Sequence, residues 1–318
     1  MTKARKVLKV LVTGATGDTG SHTIRQMLER GHHVRAMVHK SDDRSKRLEE
    51  LGAEVVVGDF LDFNAVSSAL DGTQRAYFCY PIVPGVIQAT AYFAQAAKEA
   101  GVDGIVNMSQ ISARRDAKSH AAQDHWIAEQ VFDWSGVRCV SHLRSTYFAE
   151  WLLYLAPMIK QGVMRVPYKS GRHAPIAAED QARVIVGILE NPSPHAGKAY
   201  PLFGPVEYTY EEMSKIISKI IGKPIKYETV GFDEFWQTLG GGATRPPSGH
   251  TARTMYGAFE VDPKLRTEES FLAQHLRNVA IDHTNGVFAG TNSVVLDVGG
   301  QPPMTVEAFV TKHRDAFI

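Results

Sequence analysis

The chain has 318 residues, of which 44% are hydrophobic and 22% charged, close to the average of soluble globular proteins. This composition excludes the disordered and fibrous classes, and the length corresponds to one large domain or two ordinary ones. Thirty-five Lys and Arg against thirty-four Asp and Glu leave a formal net charge of +1, which offers no general attraction to nucleic acid or to a membrane surface.

The first half of the chain alternates short apolar runs with longer segments of helical period. The runs predict strands at 7–14, 33–39, 54–60, 76–81, 104–112 and 137–145. Between them, helices are predicted at 17–31, 44–52, 85–101 and 120–136, each ending at a glycine. Six strands separated by helices indicate an α/β fold, a doubly wound parallel sheet covered on both faces.

Beyond residue 150 the alternation becomes less regular. Helices are predicted at about 146–160, 179–191, 210–222, 266–281 and 305–317, and strands at 198–204 and 224–230. The stretch 240–251 is dense in Gly and Pro and predicts a loop. We therefore expect a sheet domain at residues 1–150 and a smaller, irregular C-terminal module at 151–318, with some segments packed back on the sheet.

The most specific motif is TGATGDTG, which falls where the first strand passes into the first helix. Gly14 allows a tight turn, Gly17 lets the backbone approach a pyrophosphate, and Gly20 lets the helix pack closely on the strand. The helix N-terminus then faces the phosphates. An ordinary glycine-rich turn is the alternative, but the strand–turn–helix context favours a dinucleotide. The residues of the turn predicted to contact it are Gly14, Thr16, Gly17, Asp18, Thr19 and Gly20.

The end of the second strand distinguishes NAD from NADP. A carboxylate there bonds the ribose hydroxyls of NAD and repels a 2′-phosphate. This strand ends at His39 and Lys40, with Arg44 following, and these three can surround a 2′-phosphate. The next carboxylates, Asp42 and Asp43, are expected to cap the following helix. We therefore predict NADP(H) in preference to NAD(H), and assign Lys46 and Arg47 to a solvated helix face.

Further contacts are expected beyond the carboxyl ends of the strands, where ligands of doubly wound sheets bind. Asp59 is placed to accept a bond from the adenine amino group, or else simply forms a turn. The other residues predicted to contact the cofactor are Phe60, Tyr80, Pro81, Ser109 and Gln110. Tyr80, Gln110, Tyr147 and Phe148 could also line a flat slot for an aromatic acceptor. The alternative for Tyr147 and Phe148 is packing at the base of a helix.

Several segments together resemble the NmrA-like family of atypical short-chain dehydrogenase/reductases. They are TGATGDTG, VVVGDFLD, IVNMSQISA, SGVRCVSHLRSTYFAEW and GPVEYTYEEMSKIISKIIGKPI, and the resemblance runs from about residue 7 to 230. It implies a Rossmann domain, a small C-terminal substrate domain and an active site between them. Members include NADPH-dependent quinone reductases, azo dye and triphenylmethane dye reductases, and non-enzymatic redox sensors.

The chain departs from the common short-chain dehydrogenase pattern at the catalytic pair. No Tyr has a Lys four residues later, and DHWIAEQ stands at 124–130, where that pair would fall. The usual LRPxxFxEN stretch is LRSTYFAEW, with Ser145 in place of Pro and Trp151 in place of Asn. Carbonyl reduction by a phenolic acid is therefore disfavoured. His125 is the best candidate proton donor, with a structural histidine as the alternative. The catalytic candidates are His125, Tyr147 and Gln110.

Two functions are compatible with these residues. The first is an NAD(P)H-dependent reductase that transfers hydride to an aromatic acceptor such as a quinone, an azo dye or a triphenylmethane dye. The second is an NADP(H)-binding redox sensor without turnover. Cys79 and Cys139 are too few for a disulfide framework, so we expect two buried thiols and a cytoplasmic protein. We expect a small aromatic substrate, no metal, no nucleic acid and no membrane, and a monomer or homodimer.

Overall fold

The structure, a computed structural model, describes residues 6–240 and 270–318. The loop predicted at 240–251 lies almost entirely outside the described residues. Within them, seven strands form one parallel sheet in the order β3-β2-β1-β4-β5-β6-β8, and two form a small parallel pair. The strands are β1 (Lys9–Val12), β2 (His33–Val38), β3 (Glu54–Val57), β4 (Arg75–Phe78), β5 (Gly104–Gln110), β6 (Val140–Ser145), β7 (Val163–Val166), β8 (Lys198–Leu202) and β9 (Lys226–Thr229).

Helices cover both faces of the large sheet. Along β1, Val10 and Val12 face one apolar layer and Leu11 faces the other, as the two-residue period of a strand requires. The described helices are α1 (Asp18–Glu29), α2 (Asp43–Glu50), α3 (Phe63–Leu70), α4 (Val86–Glu99), α5 (His120–Trp134), α6 (Trp151–Tyr154), α7 (Ala156–Lys160), α8 (Ala178–Glu190), α9 (Tyr210–Ile221), α10 (Phe232–Gly240), α11 (Phe271–Thr284), α12 (Val294–Gly299) and α13 (Val306–Lys312).

The two apolar layers use different helices. Helices α1, α8 and α12 contribute Ile24, Val184 and Val295 to the layer on one face. Helices α3, α4 and α5 contribute residues such as Leu70 and Phe93 to the other. A third apolar core, within residues 147–317, joins α6, α7, α9, α11 and α13 with the β7–β9 pair. The predicted doubly wound parallel sheet is therefore confirmed.

The strand at 198–202 belongs to the large sheet. It comes from the part of the chain in which some segments were expected to pack back on the sheet, and it pairs in parallel with β6 as the seventh, outer strand. Its Pro201 suits an edge, because proline cannot donate a ladder hydrogen bond. The single helix predicted at 146–160 is wrong. Residues 146–150 are not helical, and Phe148 forms an isolated β-bridge with Ile176. The two short helices α6 and α7 follow them.

Candidate dinucleotide and substrate site

The candidate site lies at the carboxyl edge of the large sheet, where the strand order reverses. Strand β1 pairs with β2 on one side and with β4 on the other. The chain leaves β1 toward β2 and β3, and returns past β1 to form β4. The loops after β1 and β4 therefore diverge, and such a reversal opens the crevice in which doubly wound sheets bind dinucleotides.

The glycine turn follows β1 and has a backbone geometry that requires glycine. Gly14 has φ +57°, in the left-handed region, and its carbonyl oxygen accepts the Gly17 N–H at 2.9 Å. A Cβ added to Gly20 would lie 2.3 Å from that same carbonyl oxygen. A Cβ at Gly17 would lie 3.2 Å from it. The turn is thus folded tightly against the first turn of α1, which leaves little room for side chains.

The start of α1 presents backbone donors to this edge. The first intrahelical hydrogen bond of α1 is donated by the Ser21 N–H to the Gly17 carbonyl at 2.9 Å. The N–H groups of Thr19 and Gly20, which precede Ser21, therefore have no acceptor within the helix and point out of its N-terminus. The Thr19 hydroxyl is directed inward, where it lies 2.9 Å from the Tyr77 hydroxyl. The group of Thr19 that can bind an anion is therefore its backbone N–H. Outward N–H groups and the positive end of the helix dipole suit a diphosphate.

Past β2, the predicted cap is confirmed. Asp42 is the N-cap of α2, accepting the N–H groups of Arg44 and Ser45, and Asp43 lies in the first turn. The Asp42 carboxylate also binds the Arg44 guanidinium, with Nη2 and Oδ2 2.6 Å apart. This hydrogen bond, with a further contribution from charge, lowers the pKa of Asp42. His39 and Lys40 are exposed and make no hydrogen bond or ion pair within residues 6–240 and 270–318.

The other side of the crevice is aromatic. Phe60 and Tyr80 have ring centroids 5.5 Å apart in an edge-on arrangement. The Tyr80 hydroxyl donates to the Pro84 carbonyl at 3.2 Å. Asp59 is exposed, and its carboxylate accepts the Leu61 N–H at 2.9 Å, which is the turn-forming bond weighed as its alternative role. Pro81 is also exposed. The adenine contact of Asp59 stays a prediction.

The end of β5 brings Ser109 and Gln110 toward α5. Ser109 is buried, and its hydroxyl has no partner among the described residues. Gln110 accepts the Ser112 hydroxyl at 2.7 Å and donates to the Ala121 carbonyl at 3.4 Å. Cys79 is half-buried, whereas Cys139 is buried, and both are free thiols.

His125 lies inside the protein. It is 5% exposed, and burial lowers its pKa to about 4. His275 of α11 is close enough that His125 contributes to lowering its pKa to about 3, although burial has the larger effect. Both imidazoles are therefore uncharged at neutral pH. The imidazolium form of His125, which would donate a proton, is therefore scarce at neutral pH. The role of His125 as proton donor stays a prediction.

Tyr147 packs into the core of the C-terminal module. Its ring lies 4.8 Å from the rings of His173 and Phe288 and 5.4 Å from that of Tyr168, measured between centroids. These ring contacts of Tyr147 all lie within the C-terminal module. Phe148 is half-buried. This arrangement supports the packing alternative for Tyr147.

A pocket that the sequence did not indicate opens beside the glycine turn. It has a volume of about 400 Å³ and lies between α1 and α2. Thr16 and Arg25 line one wall, and Arg44 and Arg47 line the other. Arg47 thus faces this pocket as well as solvent. No group of three His, Cys, Asp or Glu side chains in the described segments could hold a metal ion, and none of their helices is long and apolar enough to cross a bilayer.

Comparison with known proteins identifies the family. The model of the NmrA-like family matches residues 6–284. The chain belongs to this family. An NAD(P)H azoreductase from Xenophilus azovorans is 25% identical to this NmrA-like chain over 310 residues, 97% of the chain and 99% of that protein. A (4-alkanoyl-5-oxo-2,5-dihydrofuran-3-yl)methyl phosphate reductase from Streptomyces griseus is 29% identical over 311 residues, 97% of the chain and 99% of that protein.

A solved structure shares the fold of this NmrA-like chain. The NADPH-dependent quinone oxidoreductase of Escherichia coli, complexed with NADPH, superimposes with a TM-score of 0.77 at 22% identity. The match covers 96% of this chain and 99% of that one. The family predicted from the motifs is therefore confirmed. The azoreductase and the quinone oxidoreductase are named for NAD(P)H and NADPH, and the Streptomyces protein is named as a reductase.

Proposed function

We propose that this protein is an NADP(H)-dependent reductase that transfers hydride to a conjugated or aromatic acceptor, such as a quinone, an azo compound or a cationic triphenylmethane dye. The observation that carries the proposal is the glycine turn at the point where the strand order reverses. Gly14 and Gly20 form a cradle that a side chain would fill, and α1 directs its N-terminus at it. These residues fit a dinucleotide diphosphate.

The residues of the site have separate tasks. The Thr19 and Gly20 N–H groups bind the diphosphate. His39 and Lys40, exposed after β2, bind the ribose 2′-phosphate and account for a preference for NADP(H). The bound dinucleotide supplies the hydride. The aromatic pair Phe60 and Tyr80 bounds the opposite side of the crevice and excludes water from it.

The acceptor is expected to need little proton transfer from the protein. His125 is uncharged at neutral pH, because burial lowers its pKa to about 4, and the chain has no Tyr-x-x-x-Lys pair. A cationic dye is neutralised by hydride alone, and a quinone can take its proton from solvent. The azoreductase and the Streptomyces reductase among the relatives support a reductase over a redox sensor.

The test measures oxidation of NADPH by its absorbance at 340 nm with quinones, azo dyes and cationic triphenylmethane dyes. We expect turnover with at least one of these classes, and a lower KM for NADPH than for NADH. Gly17→Val should abolish both turnover and cofactor binding, since the side chain would occupy the place of the diphosphate. Binding without turnover across the whole panel would favour the sensor.

A matched glycine variant controls for folding. Gly231→Val introduces the same side chain at a position where an added Cβ meets no atom within 4 Å. It should bind NADPH as the parent does. Circular dichroism and the unfolding midpoint of Gly17→Val should stay close to those of the parent. Tight NADPH binding by a folded Gly17→Val variant would place the diphosphate elsewhere.

A further inference from the structure

The pocket between α1 and α2 continues the proposed cofactor crevice. Thr16 belongs to the glycine turn, and Arg25 lies two helical turns along α1 from the start of that helix, yet both line the same pocket. Helix α2 begins just past β2 and supplies the facing wall. Because β1 and β2 are neighbours in the sheet, the mouth of the pocket lies beside the carboxyl ends of both strands. The adenosine ribose of a bound dinucleotide would lie there.

The walls of this pocket are positively charged. Three guanidinium groups line it, those of Arg25, Arg44 and Arg47, against one carboxylate, that of Glu50. Thr16 and Ser21 add hydroxyl groups. A pocket with an excess of arginine and with hydroxyl donors matches a phosphomonoester, since guanidinium groups bind phosphate oxygens through paired hydrogen bonds.

The three arginines differ in how far their charge is already compensated. Asp42 binds the Arg44 guanidinium, and the Arg47 Nε donates to the Asp43 carbonyl at 3.1 Å. The Arg25 guanidinium makes no hydrogen bond or ion pair with any residue in the described ranges 6–240 and 270–318. Its neighbour His22 is uncharged at neutral pH, because burial and then the charge of Arg25 lower its pKa to about 4. Arg25 is thus the cation with most to gain from an anion.

We infer that Arg25 is a specificity-determining residue that binds the 2′-phosphate of NADP(H) from the first helix. This inference rests on the proposed function, because it assumes that a dinucleotide occupies the crevice. Arg25 acts from the α1 wall of the pocket, on the same side as Thr16, and Arg44 contributes less because Asp42 already balances its charge. The discrimination between NADPH and NADH therefore depends on α1 as well as on the residues that follow β2.

The experiment compares dinucleotide affinities by calorimetry on the full chain. Arg25→Ala should raise the Kd for NADPH about tenfold, the loss expected for one charge-assisted contact, and change the Kd for NADH less than twofold. Arg138→Ala is the matched control. It removes the same charge from an exposed arginine just before β6, at the amino ends of the strands and so away from the crevice, and should leave both affinities unchanged. Arg25→Lys should retain part of the preference.

The possible results separate this inference from the proposed function. If the parent protein binds neither NADPH nor NADH, the proposed function fails. If the parent prefers NADPH and Arg25→Ala keeps the same ratio of affinities, the proposed function stands and the role of Arg25 is wrong. Competition with inorganic phosphate gives a third arm. A phosphate affinity that falls in Arg25→Ala while the NADPH-to-NADH ratio stays fixed would assign the pocket to a separate phosphate ligand and overturn the inference.

Discussion

Asp42 serves both the backbone and a side chain of α2. Its carboxylate accepts the N–H groups of Arg44 and Ser45, and the Ser45 hydroxyl donates in return to the Asp42 carbonyl at 2.8 Å. The same carboxylate binds the Arg44 guanidinium. Capping requires only an oxygen acceptor, whereas the ion pair requires the negative charge. The two roles can therefore be separated by a substitution that keeps the oxygen.

Asp42→Asn is expected to tighten NADPH binding. Asparagine caps helices as well as aspartate does, so α2 should remain intact. The Arg44 guanidinium loses its negative partner and can bind a phosphate. The phosphate is also no longer repelled by a carboxylate at position 42. We expect the Kd for NADPH to fall several-fold, with the Kd for NADH nearly unchanged, measured by calorimetry at low salt.

The control for Asp42→Asn is Asp43→Asn. It removes the same charge one residue along α2, where the carboxylate is 90% exposed and pairs only with Lys46 among the described side chains. Its effect on NADPH binding should be small, because an exposed charge is screened. Equal tightening by the two variants would mean that general charge, rather than release of Arg44, explains the result.

At the level of residues, the sequence predicted what depends on local chemistry. Asp42 as a cap and Gly14 at a tight turn follow from preferences of single residues for defined backbone geometry. That Arg25 and Arg44 line the same pocket could not be predicted, because it depends on the positions of α1 and α2 relative to each other. The burial of His125 likewise depends on α11, which is more than a hundred residues away in the chain.

At the level of elements, α11 is joined to the sheet domain by polar contacts. Arg114, in the loop after β5, binds Asp282 through two hydrogen bonds of 2.8 Å. The Ser119 hydroxyl lies 2.8 Å from His275 Nδ1, and Gln274 donates to the Lys118 carbonyl at 2.7 Å. These contacts fix α11 against the start of α5, beside the candidate site.

Asp282→Asn is expected to loosen α11. The Asp282 carboxylate is 10% exposed and the Arg114 side chain 33%, so loss of the pair costs less than a fully buried one, about 1–2 kcal/mol. Amide hydrogen exchange in α11 should accelerate about tenfold, while exchange in β1 and β4 stays unchanged. Asp233→Asn breaks an exposed pair with Arg277 of the same helix and should have little effect. Equal acceleration by both variants would show that Arg114 does not hold this helix in place.

Elements with strong periodicity were predicted well, and short or long-range ones were not. Helix α3, at Phe63–Leu70, was missed although α2 is equally short, because its sequence FNAVSSAL has no charged residue to contrast with the apolar positions. Strand β7 was missed because it has only four residues and is defined by its pairing with β9, which lies about sixty residues later in the chain. Strand β8 was recognised as a strand, and some C-terminal segments were expected on the sheet, but sequence alone does not say which segment joins which edge.

For the whole molecule, buried titratable groups set the dependence of stability on pH. Burial lowers the pKa of several histidines from 6.5 to about 3 or 4, namely His22, His125, His275 and His283. Between those values and 6.5 the unfolded chain binds more protons than the folded one. Stability therefore rises with pH up to about 6.5 and is lost as pH falls below it, by at most about 1.4 kcal/mol per pH unit for each histidine.

Glu150 acts in the opposite direction. It lies beneath the N-terminus of α8, where its carboxyl oxygens accept the Ala178 N–H at 3.0 and 3.2 Å. Burial, together with the nearby charges of Asp18 and Asp180, raises its pKa from 4.5 to about 8. Between those values the folded chain holds a proton that the unfolded chain has lost. The contribution of Glu150 to the free energy of unfolding is therefore fully present below about pH 4.5 and is lost as pH rises through 8.

The two effects oppose each other between pH 4.5 and 8, and Glu150→Gln separates them. From pH 6.5 to 8 the parent protein should lose about 2 kcal/mol of unfolding free energy relative to Glu150→Gln, measured by guanidinium denaturation of both proteins. Glu150→Gln keeps an oxygen for the Ala178 N–H and carries no charge, so its stability should rise with pH as the histidines dictate, with no loss on the alkaline side. The control is Glu29→Gln, at an exposed position on α1, which should show the same pH dependence as the parent. The same pH dependence in Glu150→Gln and in the parent would mean that Glu150 does not hold a proton between pH 6.5 and 8.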